Sequence, residues 1–519
     1  MKLSILILSL SVVSCFQSRP KIHRDSDVIQ VPEAKKGDAS VQSIRLLSNQ
    51  EYGKTVQALF NQEVSIDLEN DRNGLFANQI VSMPVKKVEK YVDGAIGLVD
   101  QLDIKTIPHS ECPDTNFESC LARFISEFGK LAWRRPLSSE ESDRFIGYIS
   151  ANSGLSYESK IRDLTKIFLA SPHFVLRTEI GSASESRFQL TPYEMASYLS
   201  YNLLGAPPHG ELWSAAENGT LNSAEKMKEY ALSIIDDPSY DGYVFSNFIG
   251  SMFQLDRLET ASKDPKHNFN EDSIRSAKQE LQEVFLFLVK HDTKPLQSIF
   301  TNRYTVNQAA LLNLYGTTSP GQENLLEIDS SNREGFLSRV AFLAINSEFD
   351  HSNPMRRGAK ILDNFMCRAV PPPPPEANEA VANGQNSREF RATSPTCKGC
   401  HLSIDPIGYA FESFNEVGQV NGDYQVLEES ITLDGETVSF TGLTGPNGLS
   451  QALAASREVE NCLIRRWYEY LQGSPVSGTF DGDKVTQFAE MLRAGESLKS
   501  VLIEMIADKE VIYRKRLAK

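Results

Sequence analysis

The chain has 519 residues, enough for several domains with sizeable apolar cores. Its formal charge of −15 is spread without a long acidic tail, which argues against nucleic acid as a partner and for an ordinary soluble acidic surface. No G-x-S-x-G, H-E-x-x-H or G-x-x-x-x-G-K-[ST] pattern occurs, so the hydrolase, zinc-protease and phosphate-loop classes are set aside.

Residues 1–15 read as a lipoprotein signal peptide. Lys2 is the charged start, 3–13 is an apolar run too short to span a bilayer, and Val12-Val13-Ser14-Cys15 resembles a bacterial lipobox. An ordinary cleaved secretory signal is the alternative. Lipidation at Cys15 would anchor the mature protein to a membrane without spanning it. Phe16, in place of Asp, points by resemblance to Gram-negative sorting to the outer membrane, facing the periplasm or cell surface. Residues 16–40 are polar and charged, as in a tether.

Residues 41–105 form a helical domain. A capping box at Ser48-Asn49-Gln50-Glu51 opens a helix with an apolar stripe through Tyr52, Val56, Leu59 and Phe60, and a second helix covers 88–102. In the helical domain 106–180, a helix runs over 124–133. A second box, Ser138 with Glu141, starts another that Gly154 is placed to end, and Ile161, Leu164, Ile167 and Phe168 make a stripe. In the helical domain 187–320, Thr191 caps, Pro192 takes the first helical position, Glu194 completes the box and Gly205 stops the helix. Ile274, Ala277, Leu281, Val284, Phe285 and Leu288 follow as a long amphipathic helix.

The texture changes in 330–425. Residues 333–345 read as helical, a helix runs from Asn353-Pro354 to near Cys367, the prolines at 371–375 form a stiff polyproline strap, and 376–393 reads as a polar loop. In the C-terminal helical domain, 426–519, Leu433-Asp434-Gly435-Glu436 marks a hairpin over 431–440 and a helix covers 462–471.

One short stretch carries recognisable chemistry. Thr396-Cys397-Lys398-Gly399-Cys400-His401 contains the C-x-x-C-H signature of covalent haem attachment. Ser394 suits a helix cap and Pro395 a first helical position. On the helix that follows, Cys397, Cys400 and His401 share one face, so two thiols can form thioethers to haem vinyls while the imidazole reaches the iron. Composition alone gives roughly 0.001 chance matches, which disfavours coincidence. A zinc site would want another close Cys or His pair, and a thioredoxin-like redox pair would want a βαβ context. Four cysteines remain. Cys112–Cys120 would close a short loop and leave Cys367–Cys462, although three connectivities are open and free buried thiols are an alternative.

Nearly all of the mature chain resembles a planctomycete-type cytochrome c-associated family of uncharacterised exported bacterial proteins, built from five successive domains of unknown function, the fourth with the C-x-x-C-H motif. The residues that carry the resemblance are Arg45-Leu46-Leu47-Ser48-Asn49-Gln50-Glu51-Tyr52, Trp133-Arg134-Arg135-Pro136, Leu190-Thr191-Pro192-Tyr193-Glu194, Arg356-Arg357-Gly358, and Pro395-Thr396-Cys397-Lys398-Gly399-Cys400-His401 with Ile404-Asp405-Pro406-Ile407-Gly408. Gly473 lacks the Arg that usually follows it, and the C-terminal tail is unusually basic. The fold expected is mainly α, several small helical domains in series, with a C-terminal cytochrome c-like haem region and a short β-hairpin. The cofactor expected is one covalent haem c, held by Cys397, Cys400 and His401, with His401 as the proximal iron ligand.

The other side of the iron is open to several residues. No His follows His401, and no Met lies between Met366 and Met491. The sixth ligand therefore comes from His351, Met355, Met366, Met491 or Met505, or is absent. Met355 is placed best, in a Pro-Met-Arg-Arg-Gly turn, though methionine more often fills a core. Arg356 and Arg357 either polarise a ligand on an open iron or pair with surface carboxylates. His109, His173, His209, His267 and His291 stand isolated in sequence.

The function expected is envelope-anchored, monohaem electron transfer with a redox partner in the cell envelope. A haem-dependent peroxidase or oxidase-like enzyme is the first alternative. A non-enzymatic envelope scaffold or binding protein, built on the long helical N-terminal half, is the second.

Overall fold

The computed structural model describes residues 45–62 and 85–515, apart from 114–115, 178, 185–186, 319–320, 322, 329–332, 385–386, 421–428, 440–445, 474 and 476–477. The signal, the tether and Cys15 lie outside the described residues. The protein is mainly α, with small antiparallel strand pairings, as its periodicity predicts. Among the described residues no helix is long and apolar enough to cross a membrane.

Two cores organise the chain. The first gathers the helices Asn49–Phe60, Val85–Gln101, Phe117–Trp133, Ser139–Ala151 and Tyr157–Leu169. In Phe117–Trp133 the apolar positions Leu121, Phe124, Ile125, Phe128 and Ala132 recur at helical spacing and are all buried. Phe168 stacks on Phe145 with centroids 4.3 Å apart and meets Trp133 edge-on at 5.3 Å. The Ser48/Glu51 and Ser138/Glu141 capping boxes form as the sequence implies, each serine accepting from the third backbone N–H while the glutamate accepts from the serine's own. Arg134 ends Phe117–Trp133 in the left-handed region (φ 57°), and its guanidinium donates to the carbonyls of His173, Phe174 and Leu176 at 2.8–3.1 Å.

The second core runs from Leu190 to Ile512, so the three sequence segments after 187 share one apolar interior. Trp467 is fully buried at its centre, stacked on Phe248 at 3.7 Å. Thr191, Pro192, Glu194 and Gly205 (φ 61°) bound the helix Pro192–Leu204 as expected. Between the cores, Arg45–Leu46 pairs antiparallel with Leu176–Arg177. Buried charges fasten the same joint: Glu179 meets Arg45 at 3.2 Å and Arg177 at 3.1 Å, and Glu51 lies 3.6 Å from Arg177. Near its end the chain folds back, and Tyr513–Lys515 adds to the strands Ser182–Ser184 and Arg187–Gln189.

Several local expectations change. The segment 376–393 is not simply a polar loop, because Pro375–Ala382 and Arg388–Thr393 are helical. The helix opened by the second capping box, Ser139–Ala151, ends with Asn152 as its cap, before Gly154. Residues 333–345 are broken into a tight turn, Phe336–Ser338, and a helix, Val340–Ile345. Arg339, extended at φ −85° and ψ 154°, divides the two, and Gly335 ahead of them, at φ 68°, approaches the Phe300 carbonyl too closely to admit a Cβ. The hairpin forms at Ser430–Leu433 and Glu436–Ser439, with Asp434 and Gly435 both at positive φ as a two-residue turn requires.

Candidate functional site

The motif lies on the helix Lys398–Tyr409, called here the motif helix. It starts later than Ser394 and Pro395 imply. Ser394 closes the preceding helix Arg388–Thr393, and its carbonyl accepts from Cys397 and Lys398. Cys397 is the residue at the cap, and its carbonyl accepts from the His401 N–H at 3.1 Å, so the two remain one helical turn apart.

A second helix, Pro354–Met366, crosses the motif helix antiparallel, Pro354 against Gly408 and Gly358 against Ile404. A Cβ on Gly408 would lie 1.9 Å from the Pro354 carbonyl oxygen, and one on Gly358 2.1 Å from that of Ile404. Glycine at both positions lets the two backbones touch. Arg357 then fixes the chain as it leaves the motif helix. It is fully buried and donates to the carbonyls of Phe411 (2.8 Å), Phe414 (3.1 Å) and Asn415 (2.9 Å) and to Ser347 Oγ (2.8 Å). This corrects the expectation of a surface ion pair. Glu412 stands 3.8 Å away, and burial pushes the guanidinium down to about 10. Arg356, by contrast, does pair with a partly exposed carboxylate, Glu348, at 2.8 Å.

Of the cysteines described, four form the bridges Cys112–Cys120 and Cys367–Cys462, with Cα atoms 5.4 and 5.5 Å apart. Cys397 and Cys400 carry free thiols, the first buried and the second exposed. Beside them, His401 Nδ1 lies 2.8 Å from Asp405 Oδ1. A carboxylate can only accept, so Nδ1–H donates and the neutral ring keeps its lone pair on Nε2. The other Asp405 oxygen accepts from Arg391 Nε at 3.0 Å, and Arg391 Nη2 donates to Tyr409 OH at 2.7 Å. Asp405 and Arg391 are both buried. Arg388 lies over the Tyr409 ring, 4.7 Å from its centroid, and pairs with Glu429.

These residues fit covalent haem chemically: two adjacent thiols outside any disulfide, and an imidazole whose second nitrogen is orientated to leave the first for iron. The signal for Asp405 was present in the sequence as an i, i+4 partner of His401. Arg391 was hidden in the stretch read as loop. Among the described residues no group of three or more His, Cys, Asp or Glu side chains is arranged to hold a metal ion on its own.

A cavity of roughly 720 Å³ opens beside this network, with Met355, His351, Glu348, Glu412, Arg391 and Tyr409 in its wall. Two of the distal candidates, Met355 and His351, thus share a wall with two members of the network, while His401 is not part of the lining. His351 is exposed and paired with Asp350 at 2.7 Å. Met366 and Met505 are buried in the second core, and Met491 packs against it. The scattered histidines do not gather. His173 sits against Trp133, Arg135 and Glu141, and burial lowers its pKa, with Arg135 adding to the effect. His267 bridges Glu416 (2.7 Å) and Gln419 (2.9 Å), tying a distant turn to the loop after the motif helix.

Three family models match the chain: PSD5, a protein of unknown function (DUF1595), over residues 120–179; PSD4, a protein of unknown function (DUF1592), over 190–317; and PSCyt3, a protein of unknown function (DUF1588), over 333–424. The last includes Cys397, Cys400, His401, Asp405 and Arg391. No curated protein and no solved structure matches.

Proposed function

From a chain that carries, in series, three domains of the planctomycete cytochrome c-associated set, we propose an envelope-anchored monohaem c-type protein that passes single electrons to or from a partner in the cell envelope. The observation that carries this reading is the pair of free thiols, Cys397 and Cys400, beside a histidine whose Nδ1 is fixed by Asp405. Haem, when bound, supplies a one-electron couple whose potential depends on its axial ligands and burial. The chain's own residues have defined parts. Cys397 and Cys400 would hold the group through thioethers and His401 would offer Nε2 to the iron, while the glycine crossing with Arg357 keeps the motif helix in place. Met355 is the proposed distal ligand, on the strength of its place in the cavity wall beside Tyr409 and Arg391. Cys15 is the proposed lipid anchor to the outer membrane, and Cys15→Ala should release the protein from membranes; unchanged retention rejects the anchor.

A second reading, a peroxidase- or oxidase-like enzyme, is favoured by the burial of Met366 and Met505 in the core, away from any open surface. Carbon monoxide separates the two. A reduced spectrum that carbon monoxide leaves unchanged supports electron transfer through a six-coordinate iron. An immediate shift rejects that and supports the enzyme.

A further inference from the structure

We propose that Asp405 is a positioning residue that sets the reduction potential of the haem through His401, with Arg391 as its counterweight, an inference that rests on the haem reading above. Asp405 is buried and spends both oxygens on charged or ring N–H donors: Oδ1 on His401 Nδ1 at 2.8 Å, Oδ2 on Arg391 Nε at 3.0 Å. The bond to His401 is charge-assisted, stronger than one to a neutral backbone carbonyl. In a buried site the carboxylate's charge is weakly screened. It draws the Nδ1 proton and makes Nε2 the more basic donor, as a carboxylate partner does for a metal-bound imidazole. A more electron-rich ligand favours the oxidised, more positively charged iron, so the potential falls.

Arg391 acts in the opposite sense. Its guanidinium withdraws charge from the same carboxylate and so limits the fall. It is held for that task. The helix Arg388–Thr393 delivers it to the flank of the motif helix, and Tyr409 OH, one turn beyond Asp405, takes its other edge at 2.7 Å. His401, Asp405 and Tyr409 recur every four residues, so one stripe of the motif helix carries ligand, carboxylate and the anchor of the cation. The arrangement gives two opposed charges acting on one ligand, and two substitutions with opposite expected signs.

The test uses full-length protein exported from a host with cytochrome c maturation, with haem content fixed first by the pyridine haemochrome. Midpoint potentials are then read by spectroelectrochemical titration. Asp405→Asn should shift the equilibrium toward reduced iron at least tenfold, which is 59 mV for one electron. Asp405→Glu should return most of that shift, and Arg391→Gln should move the potential below wild type. The proposal is overturned if loaded Asp405→Asn keeps the wild-type potential, or if Asp405→Asn and Arg391→Gln move it in the same direction, as general loosening of the site would. Should Asp405→Asn fail to fold, the sign of the Arg391→Gln shift decides alone. Wild-type protein without haem overturns both readings, whereas loaded wild type with insensitive variants overturns this one only.

Discussion

Alanine at position 408 should destabilise this protein, although alanine in a helix interior is ordinarily about 1 kcal/mol better than glycine. The reason is the contact with Pro354. The new Cβ would sit 1.9 Å from the Pro354 carbonyl oxygen and 2.5 Å from its carbon. Non-bonded heavy atoms reach best separation near 3.5 Å, so the backbones must part by roughly 1.5 Å. Neither atom is the end of a flexible side chain that could swing away. Overpacking of this kind costs about 1–3 kcal/mol. Parting the helices also loosens Ile361, Phe365, Ile404 and Ile407, which are buried in the same core. Against the propensity gain, a net loss of about 1 kcal/mol is expected. Gly399 on the same helix is the control, because a Cβ there meets nothing within 4 Å; Gly399→Ala should be neutral or stabilising by up to about 1 kcal/mol. Urea unfolding followed by circular dichroism measures both. A Gly408→Ala variant as stable as wild type, or more so, would refute the close crossing.

Arg357→Ala removes four hydrogen bonds from a buried cation and leaves three carbonyls without that donor, and a loss of about 3 kcal/mol is expected in the same assay. Arg357→Lys should recover only part, since an ammonium lacks the planar fork; full recovery would contradict the geometry. Glu141 gives a pH dependence. Burial pushes its carboxyl upward, but the Arg135 guanidinium and the Ser138 N–H outweigh that and hold it at about 2, below the 4.5 of a free glutamate. Its folded value is depressed, so its contribution is present above pH 4.5 and is lost as pH falls from 4.5 toward 2. After allowance for partial exposure that contribution is about 1–2 kcal/mol. The difference between wild type and Glu141→Gln should shrink by more than half of this amount between pH 6 and pH 3, and a constant difference would reject the assignment. The disulfides should differ by loop length. Serine replacement of Cys367 and Cys462, 95 residues apart, should cost about 4.7 kcal/mol, and of Cys112 and Cys120, 8 apart, about 2.5 kcal/mol. The reverse order in denaturant midpoints would contradict the loop-entropy account.

What was legible in the sequence was what is local in space. Ser48 with Glu51, Ser138 with Glu141, and Thr191-Pro192 with Glu194 act within one helical turn, so their spacing states their function. Cys397, Cys400 and His401 likewise fall within one helical turn of each other, as their spacing implies, and the Asp434-Gly435 turn forms where its residues place it. Arg357 misled because a charged residue on an amphipathic helix is ordinarily exposed; only the loop Phe411–Asn415, some 55 residues on, supplies the carbonyls that permit its burial. Gly358 and Gly408 look like weak points of two separate helices until the helices are brought together. Ser394 carries a valid capping signal, but it was taken up by the helix before it. The pairing of Tyr513–Lys515 with Arg187–Gln189 joins segments more than 300 residues apart, and no local pattern announces it. Met355 illustrates the same limit for the site, since its place in a cavity wall with Arg391 and Tyr409 depends on three separated segments.

The central claim is covalent haem on Cys397 and Cys400, and intact-mass spectrometry of the exported protein tests it most directly. Full-length wild type from a host competent in cytochrome c maturation should carry the added mass of one haem, with a c-type pyridine haemochrome, and the Cys397→Ser/Cys400→Ser variant should carry neither. Wild type at the bare polypeptide mass, from a host that loads a control cytochrome, would contradict the account, as would haem mass that persists in the double variant.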